Sequence, residues 1–212
     1  MLTAQMILVY LLQTPNLVGI NVDTTHINSE QAYCLAQNIY YESRNEDIQG
    51  QYAVASVTLN RANDPRFPNT VCGVVKQKTV SKRTKKLVCA FSWYCEGNKH
   101  KQEILAKNKH SKIDERHAEQ FRTASIIAIA MLSGEAKDNT HGATHFHNPH
   151  TSRPKWRFEL KKTASIGNHT FYRLPLRKVQ PAPIVEEPVQ IVEDYQMAGE
   201  PDDKLMQMVD LT

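Results

Sequence analysis

No apolar run in this sequence approaches the roughly 20 residues that a membrane-spanning helix needs; the N-terminal run Met6 to Leu12 is far shorter. No Lys or Arg precedes that run and no A-x-A-like cleavage site follows it, so a secretory signal is not expected. The chain has no internal repeat, no H-E-x-x-H and no paired C-x-x-C, which sets aside repeat architectures, zincin-type proteases and zinc knuckles. Cysteine is sparse. Cys34, Cys72, Cys89 and Cys95 lie 38, 17 and 6 residues apart, too few and too uneven for a disulfide scaffold. Buried thiols are the expectation, with a Cys89–Cys95 bridge left open for an oxidising compartment.

What is present is 212 residues, 41% of them hydrophobic, enough for one domain with a real core. The formal charge of +4 conceals a polar division: residues 181–212 hold eight acids and one base, a net −7, which leaves +11 on residues 1–180. A body so charged attracts polyanions, whether nucleic acid or an anionic envelope polymer. The tail carries Pro181, Pro183, Pro188 and Pro201 among its acids without helical periodicity and reads as flexible.

Helical spacing begins at about Glu30 and runs to Tyr41, with Asn28 as N-cap, Gln31 as its reciprocal partner, and Ala32, Leu35, Ala36 and Ile39 on one face. A second helix is expected from Ile48 to Ala62, with Ile48, Tyr52, Ala55, Leu59 and Ala62 inward and Asp64-Pro65 as the stop. A short helix is expected around Thr70–Lys78. A long one should run from Glu115 to Leu132, capped by Asp114, with Phe121, Ser125, Ile129 and Leu132 inward and Gly134 beyond its end. Ala143–His147 and His169–Arg173 read as short strands. The fold class is therefore α+β, mainly α, with a small β element.

A carboxylic acid at a helix end beside aromatics, as in Tyr40-Tyr41-Glu42-Ser43-Arg44-Asn45-Glu46, can have its ionised form disfavoured and serve as a proton donor. The stretch Cys34–Glu46 followed by Gln49–Arg61 resembles the opening motif of the SleB-type cell-wall hydrolases, the spore-cortex-lytic family. Pro65–Val75, Ala90-Phe91-Ser92-Trp93, Gly142–Pro149 and Gly167–Arg173 resemble its later motifs in the same order. The resemblance covers about residues 30–174. It implies a lysozyme-like helical domain in residues 28–174, an N-terminal extension (1–27) and a tail (175–212). It also implies cleavage of peptidoglycan glycan strands by lytic transglycosylase chemistry, with Glu42 as acid/base. Ser43 and Asn45 stand where the family has Ala and Gly, and Asn45 still tolerates a positive φ. Ala90 stands where the family has Gln, which removes a potential sugar contact.

Around Glu42 the candidate substrate-binding residues are Glu46, Ser92, Trp93, His145, Asn148 and Tyr172, with Phe146 as a further groove-lining aromatic, since flat apolar faces and hydrogen-bonding side chains suit sugars. Glu46 is equally read as an ion-pair partner of Arg44 or Arg61. Arg61 could reach peptide carboxylates or make a structural pair. No cofactor or catalytic metal is expected. The rival reading is a metal-dependent wall amidase or peptidase built on His141, His145, His147, His150 and His169, since His145-x-His147 would aim both rings to one side of a strand. A second rival is nucleic-acid binding by Lys76, Lys78, Lys82, Arg83, Lys85 and Lys86. The expected partner is peptidoglycan, with anionic envelope polymers as a secondary one, no nucleic acid as functional target and no stable membrane insertion. The expected location is the host cytoplasm with release to the wall if the chain is phage-encoded, and otherwise the envelope or exterior.

Overall fold

A computed structural model describes residues 4–13, 23–81, 84–95 and 112–175. The acidic tail beyond Pro175, Lys82, Arg83 and the Asp114 side chain, each invoked above, lie outside the described residues. The helices are α1 (Ala4–Gln13), α2 (Ser29–Ser43), α3 (Ile48–Ala62), α4 (Val71–Lys76), α5 (Ser92–Cys95) and α6 (Lys112–Leu132). A hairpin of β1 (Lys78–Val80) and β2 (Leu87–Cys89) stands apart from a three-stranded antiparallel sheet of β3 (His145–His147), β4 (Lys161–Ile166) and β5 (His169–Arg173), ordered β3-β5-β4.

The helix starts follow from local chemistry. Asn28 accepts hydrogen bonds from the backbone N–H groups of Glu30 and Gln31 at 2.9 and 3.1 Å and opens α2. Gln31 does not close the expected reciprocal box. Its Oε1 instead accepts the Cys72 N–H at 3.0 Å, because α4 abuts the start of α2 and offers a donor that would otherwise be orphaned. Asp47 caps α3 through the Gly50 N–H at 2.7 Å, and Thr70 caps α4 through the Gly73 N–H at 3.0 Å. The long helix begins at Lys112, so Asp114 falls inside it rather than at its cap. It ends where Gly134 takes φ +81°, as its glycine suggested.

The α3 span matches the expected one, and of its expected stripe Tyr52, Ala55, Leu59 and Ala62 join the main core while Ile48 does not. Ile48 is 48% exposed, whereas Ala53, Val54, Ala55, Ser56, Val57 and Thr58 are all buried. The reason is position: α3 packs against α2, α4 and α6, and its Ala53 and Val57 also meet Ala143 and Phe171 of the sheet region. A helix enclosed on nearly every side buries residues beyond its single apolar stripe. The expected inner face of α6 holds, with Phe121, Ser125 and Ile129 buried against α2.

Leu8 and Leu11 of α1 are fully buried against Ala32 and Ile129, so the short apolar run is a core helix. All four cysteines are oxidised, which corrects the expectation of buried thiols. Cys34–Cys72 ties α2 to α4 across a Cα–Cα distance of 5.2 Å, and Cys89–Cys95 ties β2 to α5 across 5.8 Å. The first pair is separated by 38 residues and meets only once α2 and α4 have packed.

Candidate active site

Glu42 lies in the last turn of α2, half-buried, one residue after Tyr41. Tyr41 stacks on Trp93 of α5 with ring centroids 4.4 Å apart and planes 19° from parallel. Trp93 is largely buried, its indole N–H donating to Asn38 Oδ1 at 3.0 Å, while Asn38 Nδ2 donates to Thr58 Oγ1 at 2.9 Å. A satisfied chain of buried polar groups thus fixes the aromatic wall beside Glu42. Trp93 is a supporting plane behind Tyr41, and the exposed Ser92 at the start of α5 is the more accessible of the two.

On the other side Arg61 of α3 is 8% exposed. Its Nε donates to the Thr144 carbonyl at 2.6 Å, and its guanidinium lies 5.1 Å from the Phe91 ring centroid and 5.5 Å from that of Phe67. Burial lowers the Arg61 pKa to about 10, and the nearby Glu42 carboxylate opposes that shift. Arg61 therefore remains a cation at neutral pH, and its attraction to ionised Glu42 is mutual.

The segment after α6 delivers the remaining groups. Asp138 receives hydrogen bonds from the Thr140 and Gly142 N–H groups at 2.7 and 2.6 Å, and Asn60 Nδ2 reaches the Ala143 carbonyl at 3.0 Å. Burial alone would raise the Asp138 pKa, but these donors outweigh it and hold the carboxyl below its usual range. The loop is thereby fastened to α3 and leads into β3.

On β3, His145 and His147 share one side, both against Trp156, at centroid distances of 5.4 and 5.7 Å. His147 Nδ1 faces the Ser152 carbonyl at 3.0 Å, which can only accept, so Nδ1 carries the proton and Nε2 accepts the Tyr172 O–H at 3.2 Å. Both His147 nitrogens and the Tyr172 hydroxyl are therefore engaged within the protein. Among the described residues no three His, Cys, Asp or Glu side chains gather as a metal-holding group. Phe146 points the other way, onto His169 and Phe171, and belongs to the core between sheet and α3 rather than to a groove. Asn148 spends its Oδ1 on the His150 N–H at 2.9 Å and shapes the turn after β3.

Burial, with Arg61 and Arg66 nearby, pushes the His145 pKa down to about 4, so the ring is neutral in the native protein at neutral pH. The unfolded chain, with a His pKa near 6.5, takes up a proton first on acidification, so native stability falls from about pH 6.5 and levels off below about pH 4. The loss attributable to His145 is at most about 3 kcal/mol. Urea titrations between pH 7 and pH 4 should show it, and His145→Gln should flatten the profile; an unchanged profile would exclude this account.

Glu46 has a different partner from either anticipated arginine. Its oxygens accept from the Asn168 backbone N–H at 2.9 Å and from Asn168 Nδ2 at 3.1 and 3.2 Å, and His169 Nδ1 lies 3.9 Å away. The β4–β5 turn brings these donors over the α2–α3 connection. Gly167 at its tip (φ +54°) makes room, since a Cβ there would sit 2.4 Å from Glu46 Oε2. Glu46→Gln should cost about 2 kcal/mol of stability while leaving the reaction rate within a few-fold. Native stability with abolished turnover would instead put Glu46 in the chemistry.

A half-buried carboxyl near a buried arginine, with a neutral histidine close to that arginine, is a candidate acid/base site. Sequence reading missed Trp156, which joins His145, His147 and Tyr172 in one aromatic cluster; its sole signal was a lone tryptophan in a basic stretch. Residues 45–172 match the Cell Wall Hydrolase family model, and the chain belongs to that family. The match begins three residues after Glu42. The chain is similar to a spore cortex-lytic enzyme of Halalkalibacterium halodurans, 31% identical over 65% of this chain and 33% of that protein. It is also similar to one of Bacillus cereus, 30% identical over 74% of this chain and 49% of that protein. The chain thus spans about a third to a half of these relatives' lengths. A solved structure, the catalytic domain of the germination-specific lytic transglycosylase SleB from Bacillus anthracis, is 28% identical and aligns with a TM-score of 0.48 over 70% of this chain and 98% of that one.

Proposed function

We propose that the protein cleaves the glycan strands of peptidoglycan as a lytic transglycosylase, with Glu42 as its single acid/base residue. The observation that carries this is the division of labour between two acids four residues apart. Glu46 is held by Asn168, and Glu42, in the last turn of α2 directly after Tyr41, is near enough to Arg61 to act on its charge. Two-carboxylate glycosidases need a second carboxylate placed for nucleophilic or base work. A transglycosylase needs one.

In the forward step protonated Glu42 gives its proton to the glycosidic oxygen as the C1–O bond breaks, releasing the leaving sugar as an alcohol. The resulting carboxylate, attracted by Arg61, then takes the proton of the muramoyl 6-hydroxyl as that oxygen bonds to C1. The proton inventory closes, and no water is consumed. The neutral His145, Trp156 and the exposed Ser92 supply hydrogen bonds and a flat face to the sugars. The two disulfides fit work in the envelope or exterior rather than in a reducing cytoplasm.

Mass spectrometry of purified peptidoglycan after digestion tests the reading. Anhydromuramoyl ends are expected. Hydrated reducing ends would replace the mechanism by hydrolysis with an activated water, and intact glycans with severed peptides would overturn glycan cleavage altogether.

A further inference from the structure

The β1–β2 hairpin exposes apolar side chains that the core does not use: Val80 is 61% exposed, Leu87 59% and Val88 47%. Its register pairs Val80 with Leu87 on one face and places Val88, opposite Thr79, on the other. Apolar surface on both faces does not suit a flat protein partner, which covers one.

The hairpin and the end of α4 before it are strongly basic. Lys76, Lys78, Lys85 and Lys86 are exposed, and no Asp or Glu occurs in the sequence from Lys76 to Cys95. Among the described residues, Glu30 is the carboxylate paired with this segment, 3.6 Å from Lys76. Lys85 holds φ +56°, a left-handed conformation that glycine or asparagine adopts more readily. The turn is closed by Lys85 N–H to the Ser81 carbonyl at 2.8 Å and Ser81 N–H to the Lys86 carbonyl at 2.9 Å. Among the described residues of the turn, a cation thus occupies the strained position. At its base the hairpin is anchored by the Cys89–Cys95 bridge and by Lys78 lying 5.4 Å over the Tyr94 ring.

Charge selects an anionic partner, and the apolar residues narrow the choice. A soluble polyanion would satisfy the lysines but leave Val80, Leu87 and Val88 in water. Single-stranded nucleic acid would call for aromatic stacking platforms, and neither strand carries one. A bilayer interface provides phosphates and acyl boundary together. We propose that this hairpin docks the protein peripherally on an anionic phospholipid surface, with Lys85 and Lys86 among the headgroups and Val80, Leu87 and Val88 at the acyl boundary. The contact is independent of the chemistry at Glu42.

The test is co-sedimentation of the full chain with phosphatidylglycerol-containing vesicles, compared with pure phosphatidylcholine vesicles and with purified wall sacculi. Wild type should bind the anionic vesicles, weaken at high salt and ignore the zwitterionic ones. Each lysine near such a surface contributes about fivefold in affinity, so Lys85→Gly with Lys86→Ser should weaken binding roughly 25-fold. Lys85→Gly also relieves the positive φ, so the fold should survive, as circular dichroism would show. Val80→Ser with Leu87→Ser, both at exposed positions, should weaken vesicle binding separately. Variants that bind vesicles like wild type, equal binding to zwitterionic vesicles, or binding to sacculi alone would each overturn the proposal.

Discussion

Glu42→Gln is expected to lower glycan cleavage by roughly a thousandfold or more while the protein keeps its melting temperature within a few degrees. General acid/base groups contribute about 10²–10⁴ in rate, and here one group is asked to act in both halves of the reaction. The amide preserves shape and hydrogen bonding but can neither give the proton to the leaving oxygen nor take one from the 6-hydroxyl. Glu42 is half-buried at the end of α2 rather than in the packed centre, so its exchange should not disturb the core. Turnover of defined glycan fragments and thermal melts of the same preparation provide the check. A folded Glu42→Gln protein with near-normal turnover would remove Glu42 from the mechanism. Activity that fell only in step with stability would make its role structural.

The second large effect concerns Cys34–Cys72. Closing a 38-residue separation restricts the unfolded chain, and the loop-entropy relation gives about 4 kcal/mol of stabilisation. Both residues are nearly inaccessible, so Cys34→Ala with Cys72→Ala also leaves small voids between α2 and α4. The double variant should show a large drop in the urea midpoint, of the order of half the stability of a typical domain. A change under about 1 kcal/mol would mean that the unfolded chain already holds α2 and α4 together.

Much of the helical frame was legible because local signals settle it. Asn28 and Gly134 mark ends through backbone donors and left-handed geometry that belong to a few neighbouring residues. Gln31 and Glu46 were misread for the opposite reason. Their partners, Cys72 and Asn168, lie 41 and 122 residues away, and the nearer Asn28 and Arg44 looked sufficient. The α3 stripe found Tyr52, Ala55, Leu59 and Ala62 but not the further burial of Ala53, Val54 and Val57, because a helix enclosed on nearly every side buries more than one face. The β1–β2 strands were hidden inside a lysine run, and β4 begins with Lys161-Lys162 and shows no clean alternation of burial. Within the candidate site, Glu42 is proposed from its motif, whereas Trp156 depended on β3, β5 and the turn of 3-10 helix at Lys155–Phe158 meeting in space.

The enclosure of α3 also bears on how the molecule breathes. A helix packed on nearly every side can release its amide hydrogens only when most of the structure opens, so exchange of Val54–Thr58 with solvent deuterium should be the slowest in the chain. Arg61 sits on the final turn of that helix, which lends Glu42 a neighbour held by the most slowly opening part of the protein. The β1–β2 hairpin, joined by few strand bonds and largely wet, should exchange orders of magnitude faster. The molecule thus sets its chemistry on a nearly immobile foundation and leaves its lysine-rich arm free to adjust to what it meets.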